Sequence, residues 1–218
     1  MQILFQSSDL IVCVKPVGVT SQGEAQNAMP QILSQQLGGQ VYPVHRLDTQ
    51  TGGVMVYART KQSAAQLSAC IQQNRLQKEY LAVIEGIPSE KAGTLTDLLF
   101  HDRTKNKTYV VARKRTGVKE AVLDYTVLQT VQSEGKTYSL AHVLLHTGRT
   151  HQIRVQFSSR GLPLLGDGKY GSKDNRCAAA LWAFRVTFPE NGTEESYTCP
   201  PPEEFPWTLF DRELTVCT

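Results

Sequence analysis

The stretch Ala121-Val-Leu-Asp-Tyr-Thr-Val-Leu-Gln-Thr-Val131, followed by Glu134-Gly135 and then Thr137-Tyr-Ser-Leu-Ala-His-Val-Leu-Leu-His146, decides the fold. Two runs rich in β-branched and aromatic residues are parted only by a short turn, so they read as strands that follow one another directly. Working outward, residues 109–112 form another strand, and residues 76–84 alternate so that Lys78 and Tyr80 share a face. Residues 10–14 read as a buried strand ended by Pro16 and Gly18, and 54–58 and 181–188 are further strands. Helical periodicity covers 24–37, with a break at Pro30 and a stop at Gly38-Gly39. It returns from a Thr60 cap to Asn74, with Ala64, Leu67 and Ile71 as the buried stripe. A short helix runs from a Thr150 cap through Ser159, with Ile153 and Phe157 inward. Strands outnumber helices, which predicts an α+β fold with a mixed, largely antiparallel sheet flanked by helices. No repeat or linker interrupts the chain, so one domain over residues 1–218 is expected, with an irregular acidic segment at 190–218 that includes Pro200-Pro-Pro202.

The composition excludes several classes. Hydrophobic residues are 40% and charged residues 20% of the 218, an ordinary globular balance that can build a core. Residues 1–6 lack a signal-peptide pattern, and the apolar runs are too short to span a bilayer, so a cytoplasmic protein without membrane contact is expected. Cys13, Cys70, Cys177, Cys199 and Cys217 are scattered and odd in number, which argues against a disulfide framework and for isolated thiols, with Cys13 and Cys70 in the core. Net charge is only +3, but residues 190–218 hold seven acids and one base, −6, leaving 22 bases and 13 acids, +9, in the first 189. Residues 101–119 alone carry Arg103, Lys105, Lys107, Arg113, Lys114, Arg115 and Lys119 against Asp102. That stretch is either a solvated hairpin or an electrostatic footprint for phosphates.

Three segments carry candidate chemistry. In His45-Arg-Leu-Asp-Thr-Gln-Thr-Gly-Gly53, Asp48 sits before a turn, on a loop anchored by the strand that follows. An aspartate there can cap the turn or present its carboxylate, and the segment alone leaves both open. In His146-Thr-Gly-Arg-Thr-His-Gln-Ile-Arg154, Arg149 and Arg154 fall off the inward stripe near a helix N-terminus, where positive charge opposes the dipole. Either they are solvated or they meet an anion. Tyr80, in Lys78-Glu-Tyr80, lies on a strand face, where a tyrosine is usually core or rim packing, so the segment alone does not assign it a role. Gly166-Asp-Gly-Lys-Tyr-Gly171 spells a dinucleotide fingerprint but joins no strand to a helix. His142, His146 and His151 lie close in sequence, yet no carboxylate or cysteine cluster completes a metal site. Neither a metal nor a nucleotide cofactor is expected.

Together these segments resemble the RluA-type family of pseudouridine synthases. The family's H-R-L-D is matched by His45-Arg-Leu-Asp48, running into Thr51-Gly-Gly-Val-Met-Val, and its K-x-Y by Lys78-Glu-Tyr80. G-R-T-H-Q-[IL]-R-V is matched by Gly148-Arg-Thr-His-Gln-Ile-Arg-Val155, and P-L-L-G-D-x-x-Y-G by Pro163-Leu-Leu-Gly-Asp-Gly-Lys-Tyr-Gly171. Val14-Lys-Pro-Val-Gly18 looks like its opening K-P-x-G. The chain departs at Gln156 and Leu162, where the family commonly has histidine, and at Gly52, where serine is commoner.

The resemblance implies an RNA uridine isomerase with no cofactor. Its reaction breaks the C1′–N1 bond, rotates the uracil and rejoins it through C5. Asp48 would be the essential carboxylate, attacking C1′ or removing the C2′ proton. Arg154 would pair with Asp48, and Tyr80 would stack on the uracil and take the C5 proton. Arg46 would fill the space of the flipped base, with His45, Arg149 and Ile153 in the same base-flipping site. The basic residues of 101–119, with Tyr109 among them, would hold the backbone of a transfer RNA or a 23S-type ribosomal RNA. A monomer without an accessory RNA-binding domain is expected. The rivals are a glycosidase-like hydrolase, which needs a second carboxylate that no segment nominates, and a non-catalytic RNA-binding module.

Overall fold

The computed structural model describes residues 1–190 and 192–216. In chain order the elements are β1 (Ile3–Gln6), β2 (Leu10–Lys15), α1 (Met29–Leu37), β3 (Tyr42–Pro43), β4 (Gly52–Ala58) and α2 (Lys61–Gln72). There follow β5 (Gln77–Glu85), β6 (Ala92–Asp102), β7 (Lys107–Val110), β8 (Val118–Ser133), β9 (Lys136–Leu145) and α3 (Gln152–Ser158). Last come β10 (Leu181–Glu190), β11 (Thr193–Thr198) and α4 (Arg212–Val216). The chain divides into two compact units, Met1–Glu79 with Trp182–Pro200, and Tyr80–Leu181 with Pro201–Thr218.

In the first unit the strands run β1-β2-β4-β10, with β3 also on β4 and β11 on β10. Every residue of β2 and of β4 is buried, as expected of apolar runs covered on both faces. β4 and β10 are parallel while the other pairings of this unit are antiparallel, so the sheet is mixed, as expected. Gly53 makes the parallel contact possible. Its φ is +117°, and a Cβ there would stand 2.2 Å from the Ala183 carbonyl oxygen, so only glycine fits.

In the second unit the order is β5-β9-β8-β6-β7. The hairpin read from sequence is present: β8 and β9 pair antiparallel from Leu123↔Leu145 to Ser133↔Lys136. Its turn has positive φ at both Glu134 (53°) and Gly135 (73°), the conformation that matches strand twist. β6 is a strand that periodicity did not reveal. It pairs antiparallel with both β7 and β8, and only Leu95 and Leu99 among its residues are buried, so strict alternation is absent.

Several expectations change: the helix read over 24–37 begins only at Met29, and the strand read at 109–112 lies at Lys107–Val110. Pro30 starts α1 instead of breaking it, since proline suits the first helical turn. α2 does begin at Thr60, with a reciprocal cap between Thr60 and Ser63, but its buried face is Ser63, Leu67 and Cys70. Thr150 is not the N-cap of α3; that position falls on His151, in the left-handed region at φ 55° and without a side-chain capping bond. The acidic segment is ordered over its described part. β11 pairs with β10 despite its glutamates, and Trp207 and Phe210 are buried. Asp211 and Gln129 exchange two hydrogen bonds at 2.7 and 2.9 Å. Cys13, Cys70 and Cys199 are buried free thiols and Cys177 is half-buried; Cys217 lies outside the described residues.

Candidate active site

Asp48 rides on a loop that is gripped on both sides. On its N-terminal side, the buried Ser21 hydroxyl donates to the Leu47 carbonyl at 2.9 Å and accepts the Leu47 N–H at 3.2 Å. On its C-terminal side, the Thr49 carbonyl accepts the Gly18 N–H at 2.8 Å and the Lys15 ammonium at 3.3 Å. The turn is closed by the main chain, Thr51 N–H to Asp48 C=O at 3.0 Å. Lys15 is fully buried at the end of β2 and also donates to the carbonyls of Pro16 and Val19 at 2.8 and 2.7 Å. Burial lowers its pKa to about 8, and the Asp48 carboxylate opposes that fall. A cation is thus held beside the carboxylate by three oxygens. Neither Lys15 nor Ser21 carried a role in the sequence reading. A lysine ending an all-apolar strand before Pro-x-Gly was the available signal.

Leu47 is buried, Asp48 half-buried and Arg46 exposed. His45 serves the loop's backbone: its Nε2 accepts the Val56 N–H of β4 at 3.1 Å. The proton therefore sits on Nδ1, which is buried without a hydrogen-bond partner among the described residues. Burial, with Lys78 nearby, lowers the His45 pKa to about 3, so the ring stays neutral. Burial also lowers the Lys78 pKa.

Gly52 explains one departure from the family pattern. A Cβ there would lie 2.4 Å from Cζ3 of Trp182, whose indole N–H donates to the Cys199 carbonyl at 2.9 Å. The ring occupies the space a serine would need. Gly52→Ser is therefore expected to destabilise the protein by about 1–3 kcal/mol, and to cost much less when introduced into a Trp182→Leu background. Thermal melts of the single and double variants check this, and a Gly52→Ser melt equal to wild type would refute it.

Asp48 belongs to the first unit, Tyr80 and Arg154 to the second. Tyr80 is buried on β5. Arg154 was expected off the buried stripe, but α3 is buried on every side from Gln152 to Phe157. Asp167 is an anion of the same unit set against Arg154: it accepts from Nε at 2.6 Å and Nη2 at 2.8 Å, with side-chain exposures of 7% and 1%. Sequence reasoning missed this pair, although Asp167 is the aspartate of the Pro163-Leu-Leu-Gly-Asp167 motif. The Tyr170 ring lies 5.1 Å from the Arg154 guanidinium. Ile153 is buried and faces inward, while Arg149 is exposed and donates to the Glu120 carbonyl at 2.9 Å. At the start of α3, Gln152 accepts from the Arg149 N–H and the Thr147 hydroxyl. Gln156, another departure, is buried and donates to Asp97 at 2.8 Å.

The basic stretch forms the β6–β7 hairpin and the loop into β8. Arg103, Lys105, Arg113, Lys114, Arg115 and Lys119 are exposed, as is Tyr109 at 36%. Arg115 stacks on Phe100, and Lys107 lies over the rings of Tyr109 and Tyr170. The histidines are separately engaged: His146 pairs with Asp124 at 2.6 Å, and His151 bonds the Tyr170 hydroxyl at 2.9 Å. Among the described residues no group of three or more His, Cys, Asp or Glu could hold a metal ion. No described helix is long and apolar enough to cross a membrane.

One unit of this α+β fold carries Asp48 on a loop braced through its main chain; the other carries a buried arginine locked to an aspartate and an exposed cationic hairpin. Residues 9–159 match the family model described as RNA pseudouridylate synthase. The chain belongs to that family, as the motifs implied. It is 33% identical to tRNA pseudouridine synthase C of Pasteurella multocida, over 98% of each chain. It is 32% identical to an Aquifex aeolicus protein described as an uncharacterized RNA pseudouridine synthase, covering 80% of this chain but 57% of that one. It thus spans little more than half of one relative and nearly all of the other. The solved human RNA pseudouridylate synthase domain containing 1 superposes with a TM-score of 0.79 at 26% identity, over 92% of this chain and 83% of that one.

Proposed function

We propose that this chain is an RNA pseudouridine synthase that isomerises uridine in RNA, with Asp48 as the essential carboxylate. The observation that carries the reading is the brace on both neighbours of Asp48, in a chain that belongs to this family. A turn-capping aspartate needs no such support, whereas a reacting carboxylate gains rate from being held in one orientation. Asp48 attacks C1′ or removes the C2′ proton, the C1′–N1 bond breaks, and the rotated uracil rejoins through C5. Tyr80 stacks on the uracil and receives the C5 proton. Arg154 supplies the positive charge that the family motif assigns it. Arg46, exposed beside Asp48, contacts the RNA at the extruded nucleotide.

Transfer RNA is the first substrate class to test, because the relative named for it matches along the whole of both chains. The protein acts as a monomer in the cytoplasm under this reading. The deciding experiment is tritium release from RNA labelled at uridine C5, with transfer and ribosomal RNA taken from cells lacking this protein. Release identifies the RNA class to map. No release from either pool rejects the isomerase and leaves an RNA-binding module.

RNA docking through the β6–β7 hairpin has its own signature. Each phosphate neutralised contributes a slope of roughly −0.7 to −0.9 in log K against log salt. Replacing Arg113, Lys114 and Arg115 by glutamine is expected to weaken binding at low salt and flatten the slope by about 2. An unchanged slope would remove the stretch from the interface.

A further inference from the structure

Tyr170 connects the cationic hairpin to Arg154. It is buried in a short 3-10 turn, Gly168–Tyr170, three residues after Asp167. Its hydroxyl accepts the Thr108 N–H of β7 at 2.8 Å and hydrogen-bonds His151 Nδ1 at 2.9 Å, at the start of α3. Thr108 is itself fixed, because its hydroxyl donates to the Thr150 carbonyl at 2.8 Å and lies 3.0 Å from His101 Nδ1. The neighbours of Thr108 along the strand are Lys107 and Tyr109, which belong to the basic stretch. The Tyr170 ring lies 5.1 Å from the Arg154 guanidinium and 5.3 Å from the Lys107 ammonium. The ring packs with Leu99, Ala121 and Val155. One side chain thus touches the arginine by its ring and the strand by its hydroxyl.

We propose that Tyr170 is a positioning residue for Arg154: its ring orients the guanidinium, and its hydroxyl holds that ring in register with β7. The inference rests on the reading above, in which Arg154 serves the isomerisation and the β6–β7 hairpin docks RNA. Asp167 fixes two guanidinium nitrogens in one plane, and a ring face supplies a second restraint on that plane. Burial raises the Tyr170 pKa, so the hydroxyl keeps its proton at neutral pH.

The test uses Tyr170→Leu, which removes ring and hydroxyl, and Tyr170→Phe, which keeps the ring. Four quantities are measured on the full chain well below its melting temperature: kcat, KM for RNA, the exchange rate of the Thr108 amide, and the Arg154 Nε–H resonance, assigned by its loss in Arg154→Lys. Tyr170→Leu is expected to lower kcat about tenfold or more, leave KM within about twofold and broaden the Nε–H signal. Tyr170→Phe is expected to keep that signal, to lose kcat to a smaller extent and to expose the Thr108 amide to faster exchange. Unchanged kcat and Nε–H signal in the leucine variant overturn the proposal. So does a raised KM with unchanged kcat, which would make Tyr170 an RNA contact. If the leucine variant does not fold, the phenylalanine variant decides, and wild-type kcat with wild-type Thr108 exchange overturns the link. A wild type without turnover rejects the isomerase itself, while the Nε–H signal still reports whether Tyr170 orients Arg154.

Discussion

Asp48→Asn turns over no measurable uridine and binds RNA as tightly as the wild type. The amide matches the carboxylate in shape, so the Leu47 and Thr49 contacts, which are made by main-chain atoms, survive. It cannot attack C1′, and it cannot accept the C2′ proton, so both routes close at once. The expected loss in kcat is on the order of 10⁴-fold or more, the scale on which removal of a reacting side chain acts. Affinity does not fall, because one negative charge fewer can only favour a polyanion. The melting temperature falls slightly, because the buried Lys15 ammonium loses the charge that opposes its deprotonation. Tritium release and equilibrium RNA binding on the same preparation check both halves. Residual turnover within tenfold of wild type would remove Asp48 from the chemistry. A large loss of affinity would mean that the loop had collapsed.

The second large effect is expected at Asp167. Arg154 and Asp167 form a bidentate pair with almost no exposure, so removing the carboxylate takes two charge-assisted bonds from a guanidinium in low dielectric. Asp167→Ala is expected to cost about 3–5 kcal/mol, which for a chain of this size lowers the melting temperature by roughly 10 °C. Turnover falls with it, since the guanidinium loses two of its fixed bonds. Adding Arg154→Met should restore part of the lost stability but none of the activity, because the pair is costly to break and cheaper to remove whole. Melting curves of the two singles and the double decide the matter. Additive losses in the double variant would show that the pair is not coupled.

These two residues differ in how they could be found. Asp48 was visible before a turn and ahead of the apolar strand that became β4, but its own segment left turn capping and chemistry both open, and the family motif singled it out. Asp167 lay in a motif quoted for resemblance, and its ion pair spans 13 positions of chain, beyond the reach of any local pattern. Arg154 was misplaced for the same reason. Helical spacing put it off the Ile153–Phe157 stripe, and periodicity assigns one buried face, whereas α3 is covered on all of them.

Alternation, turn residues and caps determined what local forces control: the β8–β9 hairpin, the buried runs of β2 and β4, and the start of α2 at Thr60. The ordered motifs determined the family. Tertiary structure decided the rest. It made a strand of 92–102 by pairing it on both edges, ordered the acidic segment through Trp207 and Phe210, and put Lys15 against three carbonyls beside Asp48. A sequence window registers propensity and period over a few residues. Burial of a charge and pairing of an irregular strand depend on partners brought together from distant positions, and only the folded chain supplies them.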